Sequence, residues 1–551
     1  HTAAPPTLTP HAASPLTVAT PDAASPPAVV LALSARSPGA LRELLARHRE
    51  RLVAAPPALP ELAHAIAVAR TQQPHRRALV GRSAADLIAA IDRELPPAPP
   101  ARGRPRVVFV CPGQGSQWPG MGRRLLAEEP VFRARLLECA AAIREHADWD
   151  LLAQLDDPAR LAEIDVVQPT LWAFAVALAA QWRAWGVEPD IVLGHSMGEV
   201  AAAAIAGALT LADAARVICV RSRLMRRLRG QGAMALVELD EPAARALLAA
   251  SPDLTDLTIA ALNGPRMTVL SGPEAPLERL LADLRTRDGF AQRIKVDVAS
   301  HSAIVDPILA PLAEQLAGLA PRTADLAMHS TVTAGPVDGR ELGPDYWVRN
   351  LRERVRFTDV VRQLAGDAVF LELSPHPILV PNIDATIAAA RATGRALPSL
   401  VRDGDDPQVL RQSLGALFEL GHPISWERPD PARRRLPLPL YPWQRSAYWL
   451  PLPGAAATQD RPRGFPGARR PVPHDPELYL WDTSITADDP AIADHRVEGR
   501  VVMPAAAHLE LITTALAELG ALASWSIRDL HFERLLEPGD AGPTALRLAL
   551  R

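Results

Sequence analysis

The sequence predicts an α/β protein with a mostly parallel sheet, and three observations predict it. Strand-like and helix-like patterns alternate from Val107 to about Pro375, the order that lays parallel strands side by side beneath helices. Inside that stretch, residues 233–298 read β-α-β-β-α-β, the order of a ferredoxin-like subdomain. Third, Gly194-His195-Ser196-Met197-Gly198 follows the apolar run Pro189–Leu193 and precedes an alanine-rich helix pattern over Val200–Ala212. A serine between a strand and a helix, bounded by glycines, is held on a tight turn with its hydroxyl exposed and a helix N-terminus aimed at it. That arrangement suits acyl chemistry.

Taken in order, residues 1–28 are Pro, Ala, Thr and Ser with almost no large apolar side chains, which reads as a linker or tail. Residues 29–104 form a small α/β domain: strand Val29–Ser34, helices Pro38–Val53 and Leu59–Thr71, strand Arg77–Val80, then a helix from Ser83, whose hydroxyl is a natural N-cap. Pro96–Pro105 breaks the pattern. The largest domain spans 105–400. Its inserted subdomain has strands Ala235–Leu239, Leu257–Leu262, Met267–Ser271 and Gln292–Val298, with helices Pro242–Ala250 and Pro276–Arg285. Such an insertion makes a second wall, and clefts between subdomains are where small ligands bind. Residues 401–450 begin helical and end in a Pro- and Arg-rich strap closing on Leu440-Tyr441-Pro442-Trp443-Gln444-Arg445-Ser446-Ala447-Tyr448-Trp449. A linker over 451–476 precedes a last partial domain, 477–551.

Composition sets limits on function. The chain has 551 residues, more than one hydrophobic core holds. It is 48% apolar with a net charge of -3, which gives no electrostatic reason to bind nucleic acid or a membrane. Cys111, Cys139 and Cys219 are far apart in apolar patterns, so they read as buried thiols in a reducing compartment, with no metal site. The longest apolar stretch, near Leu171–Ala180, is too short for a bilayer, and the N-terminus lacks the basic segment of a signal peptide. A cytoplasmic protein is expected.

Four features join Ser196. Gly113-Gln114-Gly115 follows strand Val107–Val110, so its amides emerge at the same carboxyl edge of the sheet as Ser196. An oxyanion hole needs two N–H donors there, and Met197 can supply the other; the alternative is a plain glycine-rich turn. Arg221 lies within Val217-Ile218-Cys219-Val220, on the helix after the one that follows the nucleophile, and an arginine amid apolar residues is unusual unless paired. His301, in Val298-Ala299-Ser300-His301, closes the insertion and can take the proton from Ser196, although a lone histidine is more often structural. Finally, Glu372-Leu373-Ser374-Pro375-His376-Pro377 ends what reads as the last strand, and its main-chain carbonyls are candidates to orient His301 in place of a triad aspartate.

Residues 107 to about 380 resemble the malonyl-CoA:acyl-carrier-protein transacylase family, specifically the acyltransferase domain of type I modular polyketide synthases. GQGSQW at 113–118, GHSMGE at 194–199, Arg221, VASHS at 298–302, YWVRNLRERVRF at 346–357 and ELSPHP at 372–377 fall in family order. The resemblance implies Ser196 as nucleophile, His301 as general base, the N–H groups of Gln114 and Met197 as oxyanion hole, and Arg221 as partner of the extender's free carboxylate. It implies α-carboxyacyl-CoA and an acyl carrier protein as partners, the carrier bringing the phosphopantetheine thiol, and no cofactor bound by this chain. Residues 29–100 look like the linker from a ketosynthase, and YPWQRSAYW like the strap that returns toward it. In this family the residues before the histidine form part of the floor under the substrate's α-carbon. Ser300 leaves space for an α-methyl group; Val298 fits neither the malonyl nor the methylmalonyl pattern, and Met197 departs from the glutamine common in methylmalonyl members. Methylmalonyl-CoA with tolerance for malonyl-CoA is the expectation.

The final segment resembles the start of a polyketide dehydratase with a hot-dog fold, since His495 through Pro504 fits H-x-x-x-G-x-x-x-x-P. That family pairs its histidine with an aspartate in a second repeat, so a fragment without dehydratase activity is expected. Two other readings of the whole chain stay open: a serine hydrolase that passes the acyl group to water, and a non-catalytic docking fragment.

Overall fold

The computed structural model describes residues 26–93, 100–101, 103–287, 289–296, 298–426, 436–446, 466–520, 526–539 and 542–551, so the expected linkers at 1–28 and 451–476 lie largely outside the described residues. The chain divides into two compact units, meeting in sequence between Gln444 and Arg445.

In the first unit, β1 (Val29–Ala35) and β2 (His75–Gly81) pair antiparallel, with helices Pro38–Ala54, Leu59–Ala69 and Ala84–Asp92 around them. Ser37 and Ser83 cap the first and third of these helices, and Ser83 forms a capping box with Asp86. β3 (Arg106–Cys111) and β4 (Ile191–Gly194) belong to the main sheet. From Val107 onward both strands are fully buried, as strands covered on both faces must be. The insertion supplies β5 (Ala233–Val237), β6 (Thr258–Gly264), β7 (Met267–Gly272) and β8 (Ala291–Arg293), an antiparallel sheet in the order β6-β7-β5-β8 with helices Glu241–Ala249 and Glu274–Thr286, which is ferredoxin-like. Its last strand is shorter than the expected 292–298. Of the tail, Val298 makes only an isolated parallel bridge to Gln231, so the chain leaves and returns side by side. β9 (Ala327–Ser330), β10 (Gly335–Val337), β11 (Ala368–Glu372) and β12 (Arg395–Pro398) complete the main sheet, ordered β10-β9-β4-β3-β11-β12 and parallel except for β10. The mostly parallel α/β core with its insertion is therefore present.

Three sequence expectations need correction. The helix that follows Ser196 ends at Ile205 instead of running to Ala212, and the next helix, which carries Arg221, already begins at Leu211. The chain turns between them at Gly207, whose φ of 81° suits glycine, and Thr210 caps the second helix. β11 is not the last strand, because β12 follows and pairs with it. The helix Ile164–Ala184 is long and apolar enough to cross a membrane by length and composition, but most of it is buried inside the protein. Trp172, Phe174 and Trp182 on it have no exposed surface, which identifies a core helix. All three cysteines are free and buried; burial pushes the Cys139 and Cys219 thiols up to about 12.

The 401–450 region starts as a helix, Asp406–Glu419, which packs on β2 and ties the small domain to the main one. Arg82 holds Asp405 through both carboxylate oxygens at 2.6 and 2.7 Å, and Glu419 accepts from the Ala78 N–H at 2.8 Å. The strap over 436–444 lies back on the small domain: Leu436, Leu438 and Tyr441 join its core, and the Tyr441 hydroxyl accepts from the Arg36 N–H. Residues 447–450 lie outside the described residues.

The second unit holds β13 (Ala468–Arg470), β14 (Tyr479–Ile485), β15 (Arg496–Val497), β16 (Arg500–Val501) and β17 (Thr544–Leu550). β13, β14 and β17 form an antiparallel sheet, and β15 and β16 a short hairpin. Helix Ala505–Glu518 shares a small core with the strands through Ile485, Val501, Ala507 and Leu511, and the Trp481 indole N–H donates to Glu518 at 2.8 Å.

Candidate active site

Ser196 sits where β4 turns into helix Gly198–Ile205, with φ of 53°. A left-handed serine stores roughly 1–3 kcal/mol, so its surroundings must hold it there. They do. The Ser196 carbonyl accepts from the Glu199 N–H at 2.9 Å and from the Asn350 side-chain amide at 3.2 Å. The His195 N–H donates to the Cys111 carbonyl at 2.9 Å, fastening the turn to β3. The glycines are required by close approach: a Cβ on Gly194 would lie 2.3 Å from Glu199 Cα, and one on Gly198 would lie 2.0 Å from the Cys111 carbonyl oxygen.

The structure brings His301 to Ser196, although 105 positions separate them. Ser196 Oγ lies 2.8 Å from His301 Nε2, and both residues are buried. His301 is also left-handed, with φ of 60°. Its Nδ1 lies 2.7 Å from the main-chain carbonyl of Glu353, at the C-terminus of helix Pro344–Arg352. The expected source of that carbonyl, the 372–377 segment, does something else. Glu372 turns its buried carboxylate to the N–H groups of Ile378, Leu379 and Val380 and caps the helix that follows, and His376 Nδ1 accepts from the Arg402 N–H. Burial above all, then the Arg221 charge, lowers the His301 imidazole to about 3.

Arg221, on helix Leu211–Arg226, is 1% exposed. Its Nη1 donates to Gln168 Oε1 at 2.6 Å and its Nη2 reaches Ser196 Oγ at 3.4 Å, while its Nε has no partner among the described residues. Among the described residues, no carboxylate pairs with it. Burial lowers the guanidinium to about 10, so it is still charged near neutrality. A buried cation without a carboxylate beside it is costly. Arg226, by contrast, pairs with Asp165 on the surface.

Sequence reasoning missed Gln168, Asn350 and Glu199. Glu199 has no exposed surface, and its carboxylate accepts from the Thr331 N–H and hydroxyl at 2.6 and 2.5 Å and from the Tyr346 hydroxyl. Burial raises its acid range. Gln168 lies on the long core helix, where its neighbours Val166, Val167 and Leu171 hide it.

Gln114 follows β3 at the same edge of the sheet, in a loop that lies on the elbow: a Cβ on Gly113 would be 3.3 Å from His195 Nδ1. Among the described residues, neither the Gln114 nor the Met197 N–H is engaged in a hydrogen bond. Val298 is buried in the main core, and Ser300 is half-buried with its carbonyl accepting from the Ser271 hydroxyl at 2.7 Å. In the second unit, His495 is exposed, and its Nδ1 lies 2.7 Å from the Val502 carbonyl.

A glycine-flanked serine elbow at the edge of a parallel sheet, facing a buried histidine, is a geometry of acyl-transfer proteins. Comparison with known proteins agrees. Residues 108–422 match the family described as acyl transferase domain, residues 468–551 the polyketide synthase dehydratase domain, and residues 29–91 the CurL-like C-terminal region of polyketide synthases. The chain is 41% identical over 506 residues to the spectinabilin polyketide synthase system protein NorA' of Streptomyces orinoci, covering 87% of this chain and 14% of that relative. Among solved structures it is similar to the acyltransferase domain from module 8 of the salinomycin polyketide synthase, with 38% identity and a TM-score of 0.68, covering 73% of this chain and 97% of that one. It is also similar to the malonyl CoA-acyl carrier protein transacylase of Coxiella burnetii, with 26% identity and a TM-score of 0.52, covering 58% of this chain and 100% of that one. The chain belongs to the acyl transferase domain family, in the form found in modular polyketide synthases, with a polyketide synthase dehydratase segment after it.

Proposed function

We propose that this chain loads an α-carboxyacyl extender unit, methylmalonyl in preference to malonyl, from CoA onto the phosphopantetheine thiol of an acyl carrier protein. One observation carries the reading: a buried Arg221 without a carboxylate partner among the described residues, 3.4 Å from the Ser196 hydroxyl oxygen. A serine hydrolase has no use for a cation there. An acyl group that ends in a carboxylate does.

Ser196 Oγ attacks the thioester carbonyl while His301 Nε2 takes its proton. The N–H groups of Gln114 and Met197 receive the oxyanion. Collapse breaks the carbon–sulfur bond, the proton on His301 goes to the departing CoA sulfur, and the acyl group stays on Ser196 as an ester. The carrier thiol then attacks that ester, His301 takes the thiol proton, and Ser196 leaves with it. Arg221 pairs with the free carboxylate throughout, and Ser300 leaves space beside the α-carbon for a methyl group. CoA and the phosphopantetheine arm are substrates, so the reaction needs no resident cofactor. A ketosynthase before and a dehydratase after are the natural neighbours, as the matches at 29–91 and 468–551 support.

Intact-protein mass spectrometry tests the proposal. Methylmalonyl-CoA and malonyl-CoA at equal concentration, with and without carrier protein, are expected to give a stable acyl adduct on Ser196 that the carrier removes. Rapid release of free acid without carrier would mean hydrolysis, and a predominantly malonyl adduct would overturn the methylmalonyl preference.

A further inference from the structure

The YWVRNLRERVRF segment has its place in the family order, yet the reaction above uses only one of its main-chain groups. We propose that Asn350 is a positioning residue: by donating its side-chain amide to the Ser196 carbonyl, it fixes the nucleophile to the helix that also fixes His301. One rigid element then sets the distance between the two. The proposal rests on the reading of Ser196 and His301 as the reacting pair.

Both residues of that pair are non-glycine and left-handed, with φ of 53° and 60°, so each relaxes away from its place unless held. Helix Pro344–Arg352 and the residue after it hold both. Asn350 Nδ2 donates to the Ser196 carbonyl at 3.2 Å, the Leu351 carbonyl accepts from the His301 N–H at 3.2 Å, and the Glu353 carbonyl faces His301 Nδ1 at 2.7 Å. A second tie lies one turn earlier. Tyr346, on the same helix face four positions back, donates its hydroxyl to the buried carboxylate of Glu199 in the first turn of the elbow helix.

Asn350 is also an expensive residue to keep for packing alone. It is 1% exposed, and its Oδ1 has no hydrogen-bond partner among the described residues. A leucine would fill comparable space without an unmade bond. What the amide adds is the grip on the Ser196 carbonyl, beside a hydrogen bond to the buried Glu199 carboxylate of the same elbow, and a misplacement of reacting groups by about 1 Å costs on the order of 100-fold in rate.

The test compares wild type, Asn350→Ala, Asn350→Ser and Asn350→Gln. Each is assayed for acylation by methylmalonyl-CoA, for phosphonylation of Ser196 by a small fluorophosphonate that needs the Ser–His pair but neither Arg221 nor a CoA site, and for thermal stability. In Asn350→Ala and Asn350→Ser we expect kcat and the phosphonylation rate to fall together by roughly 10- to 100-fold, with KM and the malonyl-to-acetyl preference unchanged. Asn350→Gln, which keeps the amide, is expected to recover part of both rates. Wild-type phosphonylation in either truncated variant overturns the proposal. So does failure of both variants to fold, which would make Asn350 a residue of stability. A wild-type protein whose Ser196 does not react with the phosphonate would instead overturn the reading of the pair itself.

Discussion

His301 Nδ1 lies 2.7 Å from the Glu353 carbonyl oxygen, and a carbonyl can only accept. The proton therefore sits on Nδ1, and Nε2 presents its lone pair to the Ser196 hydroxyl 2.8 Å away. A carboxylate in the place of Glu353's carbonyl would also stabilise the charged imidazolium. A carbonyl does so only weakly, so burial and the Arg221 charge together keep the ring neutral.

This gives a pH prediction. His301 titrates at about 3 in the folded protein against 6.5 when unperturbed, so it stays a base well below the pH at which an ordinary histidine is half protonated. Fluorophosphonate labelling of Ser196 is expected to stay flat as pH falls through 6.5; a midpoint near 6.5 would contradict the lowered value. Arg221→Gln removes the neighbouring cation and should move the acid limb upward. The same shift bears on stability: between 6.5 and about 3 the unfolded chain binds a proton that the folded one refuses. His301 is therefore without effect on stability above 6.5 and destabilises progressively as pH falls through that window.

Ser196→Ala should abolish the acyl-enzyme adduct, because the elbow offers no other hydroxyl to His301. His301→Ala should come close to the same loss. Mass spectrometry of the intact protein reads both, and adduct formation at the wild-type rate in Ser196→Ala would remove the serine from the mechanism.

Arg221→Ala should separate substrates. Charge-assisted hydrogen bonds contribute about 1.5–3 kcal/mol each, so dicarboxylic transfer should drop at least ~10-fold while slow transfer from acetyl-CoA survives. Equal loss for both donors would mean that the guanidinium holds structure through Gln168 instead of reading the substrate.

For Ser300→Phe, the expected outcome is a shift from methylmalonyl toward malonyl in direct competition for Ser196. A methyl group in an apolar pocket is worth about 1–3 kcal/mol, so the shift should be on the order of 10- to 200-fold. An unchanged ratio would place Ser300 away from the α-carbon.

Gly198→Ala probes the elbow itself. The added Cβ would meet the Cys111 carbonyl oxygen at 2.0 Å, and that oxygen belongs to the central strand β3 and cannot retreat. We expect a loss of about 3 kcal/mol or more, read by denaturant unfolding. A variant as stable as wild type would show that the turn has slack.

Much of this was legible from residues alone. Strand runs such as Val107-Val108-Phe109-Val110 announce a central parallel strand, and glycines around Ser196 announce a turn that admits no Cβ. The position of the break at Gly207 was hidden because alanines on both sides carry no periodicity that marks where the first helix ends. The Glu353 carbonyl was hidden for another reason: every residue has a carbonyl, so a main-chain acceptor leaves no trace in residue identity. Asn350 and Gln168 were missed because a buried amide looks like any surface amide until its neighbours are known.

The bridge between Gln231 and Val298 stitches the insertion shut at its base, where the chain departs and comes back. Protein engineers look for such necks, since a cassette whose ends already meet can be lifted out and another set in without stretching the frame that receives it. Cut there, residues 232–297 travel as one piece, whereas Ser196, Arg221, Ser300 and His301 remain with the host. Exchanging the piece between relatives would change the wall opposite the nucleophile, provided the graft keeps two residues that reach the host: Asn263, whose Oδ1 lies 2.7 Å from His195 Nε2, and Thr258, whose hydroxyl donates to the His301 carbonyl at 3.1 Å.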